Sequence, residues 1–349
     1  MTPSPTLSGI VHQCGLAQLL EPDCASALYD GLSNSSASDY LGIQLMGAPK
    51  KTDHLYATLL QYQQSSGVPS IVDDNSQGNE IELRVTPESQ EFGLVGYKET
   101  RTLHADELRV VCNAQSPSCS HAEEERAVDL IEHIVKAMAD RQLLFLEKPF
   151  WEGVFGTITY TSQNGGTHTV ETGTQVLSPL VAGDQWTAVA TAHPIEDIER
   201  MKLALRDTGM RASKILMNQL TFSTLLQTDQ VRESLGNCLC DYTLRGESMG
   251  TLMGMELHVY DGFYTDGSGS TVRFIPDGQV VVMGQHGSCS PVLRYDARNI
   301  DDRSCETYGR YFQILTADNP RRDAYFVSYY GAPVFARPQA FVSQQVFTL

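Results

Sequence analysis

No run of apolar residues in the chain approaches the ~18 needed to cross a membrane as a helix. The opening stretch, MTPSPTLSGIVHQCGLAQLL, lacks a basic start and an apolar core of the length a secretion signal requires. Both absences set the expectation of a protein made in a cytoplasm, with no membrane partner. Positive charge is also scarce: 25 Lys and Arg stand against 42 Asp and Glu, for a net charge of -17. A dedicated nucleic-acid binder needs a basic face that displaces counterions, so that class is set aside. Cysteine has no framework. The eight cysteines (14, 24, 112, 119, 238, 240, 289 and 305) are scattered and read as free thiols. Cys238 and Cys240 have one spacer residue instead of two, and Cys112, Cys119 and His121 are too loosely spaced for zinc. The nine histidines form no H-E-x-x-H pair. There is no internal repeat and no low-complexity linker. No catalytic residue, metal site or cofactor is expected.

Two stretches imitate ligand or catalytic motifs. In VYDGFYTDGSGSTVRFIPDGQVVVMG, Val259 to Gly284, a calcium loop counted from Asp266 puts Thr271 where the sharp bend needs glycine. Counted from Asp261, it puts Phe263 at the third position. Gly267-x-Gly269 lacks the third glycine and the following helix of a phosphate loop, and no G-K-[ST] occurs. The segment reads as hairpin tips, with a second strand–turn–strand at Asp277-Gly278. Gly246-Glu247-Ser248-Met249-Gly250 matches the G-x-S-x-G elbow of serine hydrolases, and Asp261 and His286 follow in the hydrolase order. The elbow needs a strand before the serine and a helix after it, whereas TLMGMELHVYDG carries no helical face.

What the chain does have is 349 residues, 41% of them hydrophobic, enough for a substantial core. Residues 1–60 read as an irregular arm with one or two short helices. Residues 67–112 alternate weakly (Ile81, Leu83, Val85, then Leu108, Val110) and read as a polar two-stranded excursion. Alone in water it is marginal and needs a partner surface. Ser120 and Glu123 form a capping box, and apolar residues at Ala127, Leu130, Ile131, Ile134, Val135 and Met138 share one helical face. The helix is expected to stop before Pro149, and some 25 residues make a rod on the order of 38 Å. FGTITYTSQNGGTHTVETGTQVL reads as a hairpin turned at Asn164-Gly165-Gly166. HPIEDIERMKLALRDTG is a helix stopped by Gly209, SKILMN a buried strand, and QLTFSTLLQTDQVRESLG two short helices. The tail is strand-rich, with Gly331, Pro333 and Pro338 as breaks. The order describes an α+β fold.

Three segments together resemble a known family. HPIEDIERMKLALRDTGMRASKILMNQLTFSTLLQTDQVRESLG, with its N-x-x-T-F-x-x-L and V-R-x-x-L-G patterns, is similar to major capsid proteins of tailed bacteriophages. So are the Y-D-G…F-x-P-D-G-x-V-V stretch and YGAPVFARPQAFVSQQV. The likeness is to the lambda-type (protein E) group over residues 190–349. It implies a Hong Kong 97-like fold: an N-terminal arm (1–60), an extended loop (61–112), a peripheral domain with a spine helix (113–185, plus 318–349) and an axial domain (186–317). It further implies a self-assembling structural protein, located in the virion capsid after assembly in a host cytoplasm. Copies form hexamers and pentamers of an icosahedral head around packaged double-stranded DNA, bound without sequence specificity. The further partners implied are a scaffold and a decoration or cement protein. The candidates for burial by a neighbouring subunit are Ile71, Val72, Ile81, Leu83, Leu94 and Val95. Lys98 is the one lysine in the loop; some shells of this fold weld subunits through such a lysine, but here it is read as a solvated charge. The alternatives are an encapsulin-type compartment and, from another class, a serine hydrolase using Ser248.

Overall fold

The computed structural model describes residues 22–54, 56–61, 88–104, 106–107, 109–110, 121–161, 166–237, 248–266, 268–285, 287, 290–304, 306–318 and 321–348. The chain begins with α1 (Pro22–Ser36), a 3-10 turn (Ala37–Asp39) and α2 (Leu41–Leu45). Strands β1 (Lys50–Thr52), β2 (Tyr56–Gln61), β3 (Glu88–Gly93) and β4 (Val95–Thr102) precede the long helix α3 (His121–Val154). Then come β5 (Thr157–Thr161), β6 (Thr167–Glu171), β7 (Gln175–Leu177), α4 (Pro194–Asp207), β8 (Arg211–Met217), α5 (Gln219–Gln227) and α6 (Asp229–Asn237). The rest is strand: β9 (Ser248–Leu252), β10 (Met255–Val259), β11 (Phe263–Thr265), β12 (Thr271–Arg273), β13 (Gln279–Gln285), β14 (Val292–Ala297), β15 (Arg310–Asp318), β16 (Arg321–Phe335) and β17 (Phe341–Gln345). The α+β expectation holds.

Helix α3 runs 34 residues, about 50 Å at 1.5 Å per residue, and joins two hydrophobic cores. Its first half packs Ile131, Val135 and Met138 against Leu28, Tyr29 and Leu32 of α1 and against Phe312, Tyr325 and Val327 of the first sheet. Its second half packs Leu146, Phe150, Trp151 and Val154 against α4 and the second sheet. The expected stop before Pro149 is therefore wrong: Pro149 lies inside the helix. Proline removes one backbone bond at a cost of roughly 3 kcal/mol. Burying the three large side chains that follow it contributes about 1.5–3 kcal/mol each, which outweighs that loss.

Two mixed sheets carry the rest. The first orders its strands β1-β14-β16-β15, with β4 also paired to β16; the second runs β7-β17-β13-β8-β10-β9. In the second sheet β8 and β13 are flanked on both sides, so Ile215, Leu216, Met217 and Val280 to Val282 are fully buried. Helix α4 ends as the sequence indicates: Gly209, at φ 77, follows the last turn. Its N–H donates to Arg206 O at 2.8 Å while Met210 N–H donates to Leu205 O at 3.0 Å, the paired bonds of a glycine C-cap.

Three local expectations are corrected. Asp277-Gly278 does not turn a hairpin: β12 pairs with β11, while β13 pairs with β8 and β17. The apolar run of β13 is satisfied only between two buried neighbours, so it leaves its sequence neighbour behind. Gly331 and Pro333 do not break the last strands, because β16 runs through both. Strand β4 pairs with β16 only as far as Gly331, opposite Val95, so Pro333 has β14 on one side and no β4 residue on the other. A residue without an N–H fits there. Gly331 is needed for closeness, since an added Cβ would lie 2.4 Å from Tyr295 O. Finally, Val110 lies in a helical turn, not a strand. Glu107 accepts the His104 N–H at 2.6 Å and pairs with Arg101 at 2.8 Å, favouring a helix start; Leu108 lies outside the described residues.

Candidate assembly surface

The sequence patterns with no catalytic meaning turn out to interlock. Asn218 caps α5 by accepting the Thr221 N–H at 2.8 Å, and its amide donates to Ile275 O at 3.2 Å and Asp277 Oδ1 at 2.5 Å. The Thr221 hydroxyl in turn accepts the Gly278 N–H at 3.0 Å. Gly278 O accepts Val346 N–H at 2.7 Å. The N-x-x-T-F, F-x-P-D-G and closing-strand segments thus meet at one buried junction between α5, β13 and the chain after β17. Tyr260, Asp261 and Gly262 hold the neighbouring excursion. Tyr260 OH reaches Glu147 at 3.0 Å, Asp261 pairs with Arg273 at 2.7 Å, and Gly262 O accepts Phe274 N–H at 3.0 Å. Asn218→Ala removes the cap and leaves the buried Ile275 carbonyl without its donor. It should lower stability by about 2–4 kcal/mol, read as a denaturant midpoint; an unchanged midpoint would show that the junction contributes little.

The motifs that imitate chemistry are accounted for by the backbone. Asp266 Oδ1 accepts N–H bonds from Ser268 and Ser270, each at 2.9 Å, and Gly269 N–H closes on Asp266 O. These bonds hold its carboxyl below the usual carboxylate range, the Ser268 hydroxyl contributing most. Ser248 opens β9, which turns at Met253-Gly254 and runs antiparallel to β10. A strand where the elbow needs a helix gives no nucleophile geometry; His286 lies outside the described residues. Among the described residues no group of three metal-ligating side chains occurs, and no helix is long and apolar enough to cross a membrane.

At the base of the expected loop, β2 and β3 pair antiparallel from Tyr56↔Gly93 to Gln61↔Glu88. Ile71, Val72, Ile81 and Leu83 lie outside the described residues. Leu94 and Val95 are half-buried, and Val95 begins β4, paired to Gly331 of β16. Residues 95–102 of segment 61–112 are thus a strand of the subunit's own sheet. Beside it runs a groove of about 940 Å³ between β4, the outer face of α3 and the β5–β6 hairpin, lined by Tyr97, Arg141, Phe145, Lys148, Tyr160 and His168 among others. Lys98, also at this groove, lies 2.6 Å from Asp301 and over the Tyr330 ring, so it is paired instead of merely solvated. The hydrogen bond to Asp301 raises its pKa above the ordinary lysine value.

One functional-looking side chain escaped the sequence reading. Glu147, on the buried face of α3, accepts N–H bonds from Gly42 and Ile43 at 2.8 and 2.9 Å, and from Trp151 Nε1 at 2.7 Å. Its signal was spacing: it falls four residues after Leu143 and three before Phe150, inside the apolar stripe.

The family model of the phage major capsid protein E matches residues 40–346. The chain belongs to that family. The phage capsid E match takes in the junction, the long helix and both sheets, and it favours the phage head over the encapsulin-type compartment. The prophage capsid protein assigned in Escherichia coli CFT073 has the same fold, with a TM-score of 0.61 at 14% identity, covering 94% of this chain and 99% of that one. A phage-related protein from Bordetella bronchiseptica RB50 matches at a TM-score of 0.52 and 13% identity, over 90% and 95% of the two chains. No curated protein matches the chain. As a capsid protein it is structural, not enzymatic; it associates with its own copies, and its place is the virion capsid.

Proposed function

We propose that this capsid protein closes an icosahedral head from hexamers and pentamers, with residues 62–87 of each copy bracing a neighbour. The observation that supports the brace is the β2–β3 pair, which brings both ends of that segment together at one place. The segment's apolar residues Ile71, Val72, Ile81 and Leu83 sit among Asp73, Asp74, Asn75 and Asn79, too sparse to form a core of their own. The implied domain map, with an axial part near 186–317 and a peripheral part around α3, is part of the same proposal. So is the partnership with a scaffold, a decoration or cement protein and double-stranded DNA. A chain of net charge -17 suits a shell wall that must not hold incoming DNA.

Purified chain should sediment far above its 38.5 kDa mass, as shells or as capsomer-sized rings. Association should strengthen with salt as like charges are screened. Negative-stain microscopy across a salt series checks both. A species that stays monomeric at high concentration and high salt would overturn the reading. Shells that enclose a cargo enzyme in place of DNA would favour the compartment.

A further inference from the structure

Residues 40–46, which carry the chain from α1 towards β1, are not held by their own segment. Helix α2 is only five residues long, and its N-cap residue Tyr40 makes no side-chain cap bond. Its first three amides go instead to two side chains from distant parts of the sequence. The Gly42 and Ile43 amides donate to the Glu147 carboxylate of α3 at 2.8 and 2.9 Å. The Leu41 amide donates to the hydroxyl of Tyr260, the residue after β10. That hydroxyl donates in turn to Glu147 Oε1 at 3.0 Å, the oxygen that also takes Trp151 Nε1 at 2.7 Å. The fit leaves no slack, because a Cβ at Gly42 would lie 2.6 Å from Phe150 Cδ1 and 2.7 Å from Glu147 Oε2.

Tyr260 is also the root of the β11–β12 ribbon. Its amide donates to Met217 O of β8 at 2.9 Å. Its ring stacks between Trp151 and Phe274, with centroids 5.6 and 6.1 Å away. Phe274 closes the ribbon by donating its amide to Gly262 O at 3.0 Å, and its ring meets Tyr264 at 5.4 Å. A Cβ at Gly262 would lie 2.3 Å from both Cζ and the hydroxyl of Tyr260. With an aromatic ring on each face, the tyrosine cannot swing away from such a contact. One side chain therefore sets where the ribbon sits and, through its hydroxyl, whether α2 is capped.

We propose that Tyr260 couples these two segments, so that residues 40–46 and 261–274 seat and open as one unit with its hydroxyl as the link. Glu147 is fully buried. Lifting the ribbon alone would withdraw a donor from that carboxylate and leave the Leu41 amide without its acceptor. Lifting α2 alone would take two donors from the same carboxylate. Buried polar groups left unpaired are costly, so joint opening is favoured over either alone. Coupling of this kind is reciprocal. In a chain that associates with its own copies, a contact that fixes the ribbon, where Phe263 is 60% exposed, then also fixes the root of the N-terminal arm.

The test is hydrogen exchange by mass spectrometry on the purified full chain, reading peptides over residues 40–46 and 261–274. The atoms nearest an added methyl belong to α3 at Gly42 and to Tyr260 at Gly262, so each substitution strikes one side of the link. Gly262→Ala should speed exchange in 40–46, and Gly42→Ala in 261–274, each by at least about tenfold, while β8 and β13 keep their protection. Tyr260→Phe keeps the ring stack and removes the hydroxyl; on that background Gly42→Ala should no longer change the ribbon. Effects confined to the substituted segment overturn the coupling, as does a Gly42→Ala effect undiminished by Tyr260→Phe. In the wild type, in urea too dilute to unfold β8 and β13, the two peptides should show one common dependence of exchange on urea. Separate dependences overturn the coupling whether or not any variant folds. None of these readouts depends on shell closure.

Discussion

A chain in which residues 62–87 are replaced by a short Gly/Ser linker melts close to the parent temperature and forms no closed shells. Folding is expected to survive because the β2–β3 pair, from Tyr56↔Gly93 to Gln61↔Glu88, and the whole of β4 are retained. Shortening the connection lowers the closure entropy by roughly 1 kcal/mol, which helps the subunit slightly. Assembly is expected to fail because Ile71, Val72, Ile81 and Leu83 would each contribute roughly 1.5–3 kcal/mol if covered by a neighbour. That contribution recurs at every contact around a shell. Calorimetry and microscopy on one preparation separate the two effects. If the subunit unfolds, the segment belongs to its own core; if shells close normally, it is no brace. A replacement extending to residue 100 would not test the brace, since it would delete Val95 to Thr100 of β4 and their pairing with Gly331 to Phe326 of β16.

Gly278→Ala should be the most damaging single methyl in the molecule. Gly278 has φ 77, and an added Cβ would sit 2.2 Å from Phe347 O and 3.1 Å from Phe347 C. The atom in the way is backbone, fixed in turn by the Val346 N–H bond to Gly278 O at 2.7 Å. The substitution cannot be absorbed by a rotamer change. It must move either the turn before β13 or the chain after β17, and both belong to the main core. A loss of roughly 3–5 kcal/mol is expected, combining left-handed backbone strain with the clash. Gly209→Ala is the control: it has the same φ, 77, and nothing within 4 Å of the added methyl. It should cost only the strain, about 1–2 kcal/mol. Equal midpoints for the two variants in urea would show that the Phe347 contact is not rigid.

Local signals in the sequence were reliable where the physics is local. The 3.6-residue stripe of α3, the glycine stop of α4, the buried run of β8, the pair of short helices α5 and α6 and the β5–β6 pairing all appear where the pattern placed them. Each depends on residues only a few positions apart. The failures share the opposite character. Pro149 reads as a stop within its own turn, and only the burial of Phe150, Trp151 and Val154 keeps the helix going. Asp277-Gly278 reads as a hairpin turn, yet β13 finds β8 and β17, whose partner residues lie at least 58 positions away in each direction. The candidate assembly residues were only partly legible. Leu94 and Val95 looked like loop, but β4 lies in the subunit's own sheet because β16 offers it eight consecutive partners.

By itself, then, the sequence determined the class of the protein. Its lack of spans, metal clusters and true catalytic motifs, its acidic charge and its three ordered motif segments together pointed to a shell protein. That much is legible because the motifs are turn and cap chemistry, written in adjacent residues. Only the tertiary structure decided why the motifs exist: Asn218, Thr221, Gly278 and Val346 are separated along the chain and meet at one buried junction. It also decided that Glu147, an unremarkable acid in FLEKPFWEG, faces inward as the cap of a helix about a hundred residues earlier. Such roles arise from long-range burial, where a polar group is held by whatever donors the fold brings to it, and no spacing within a segment encodes that partner.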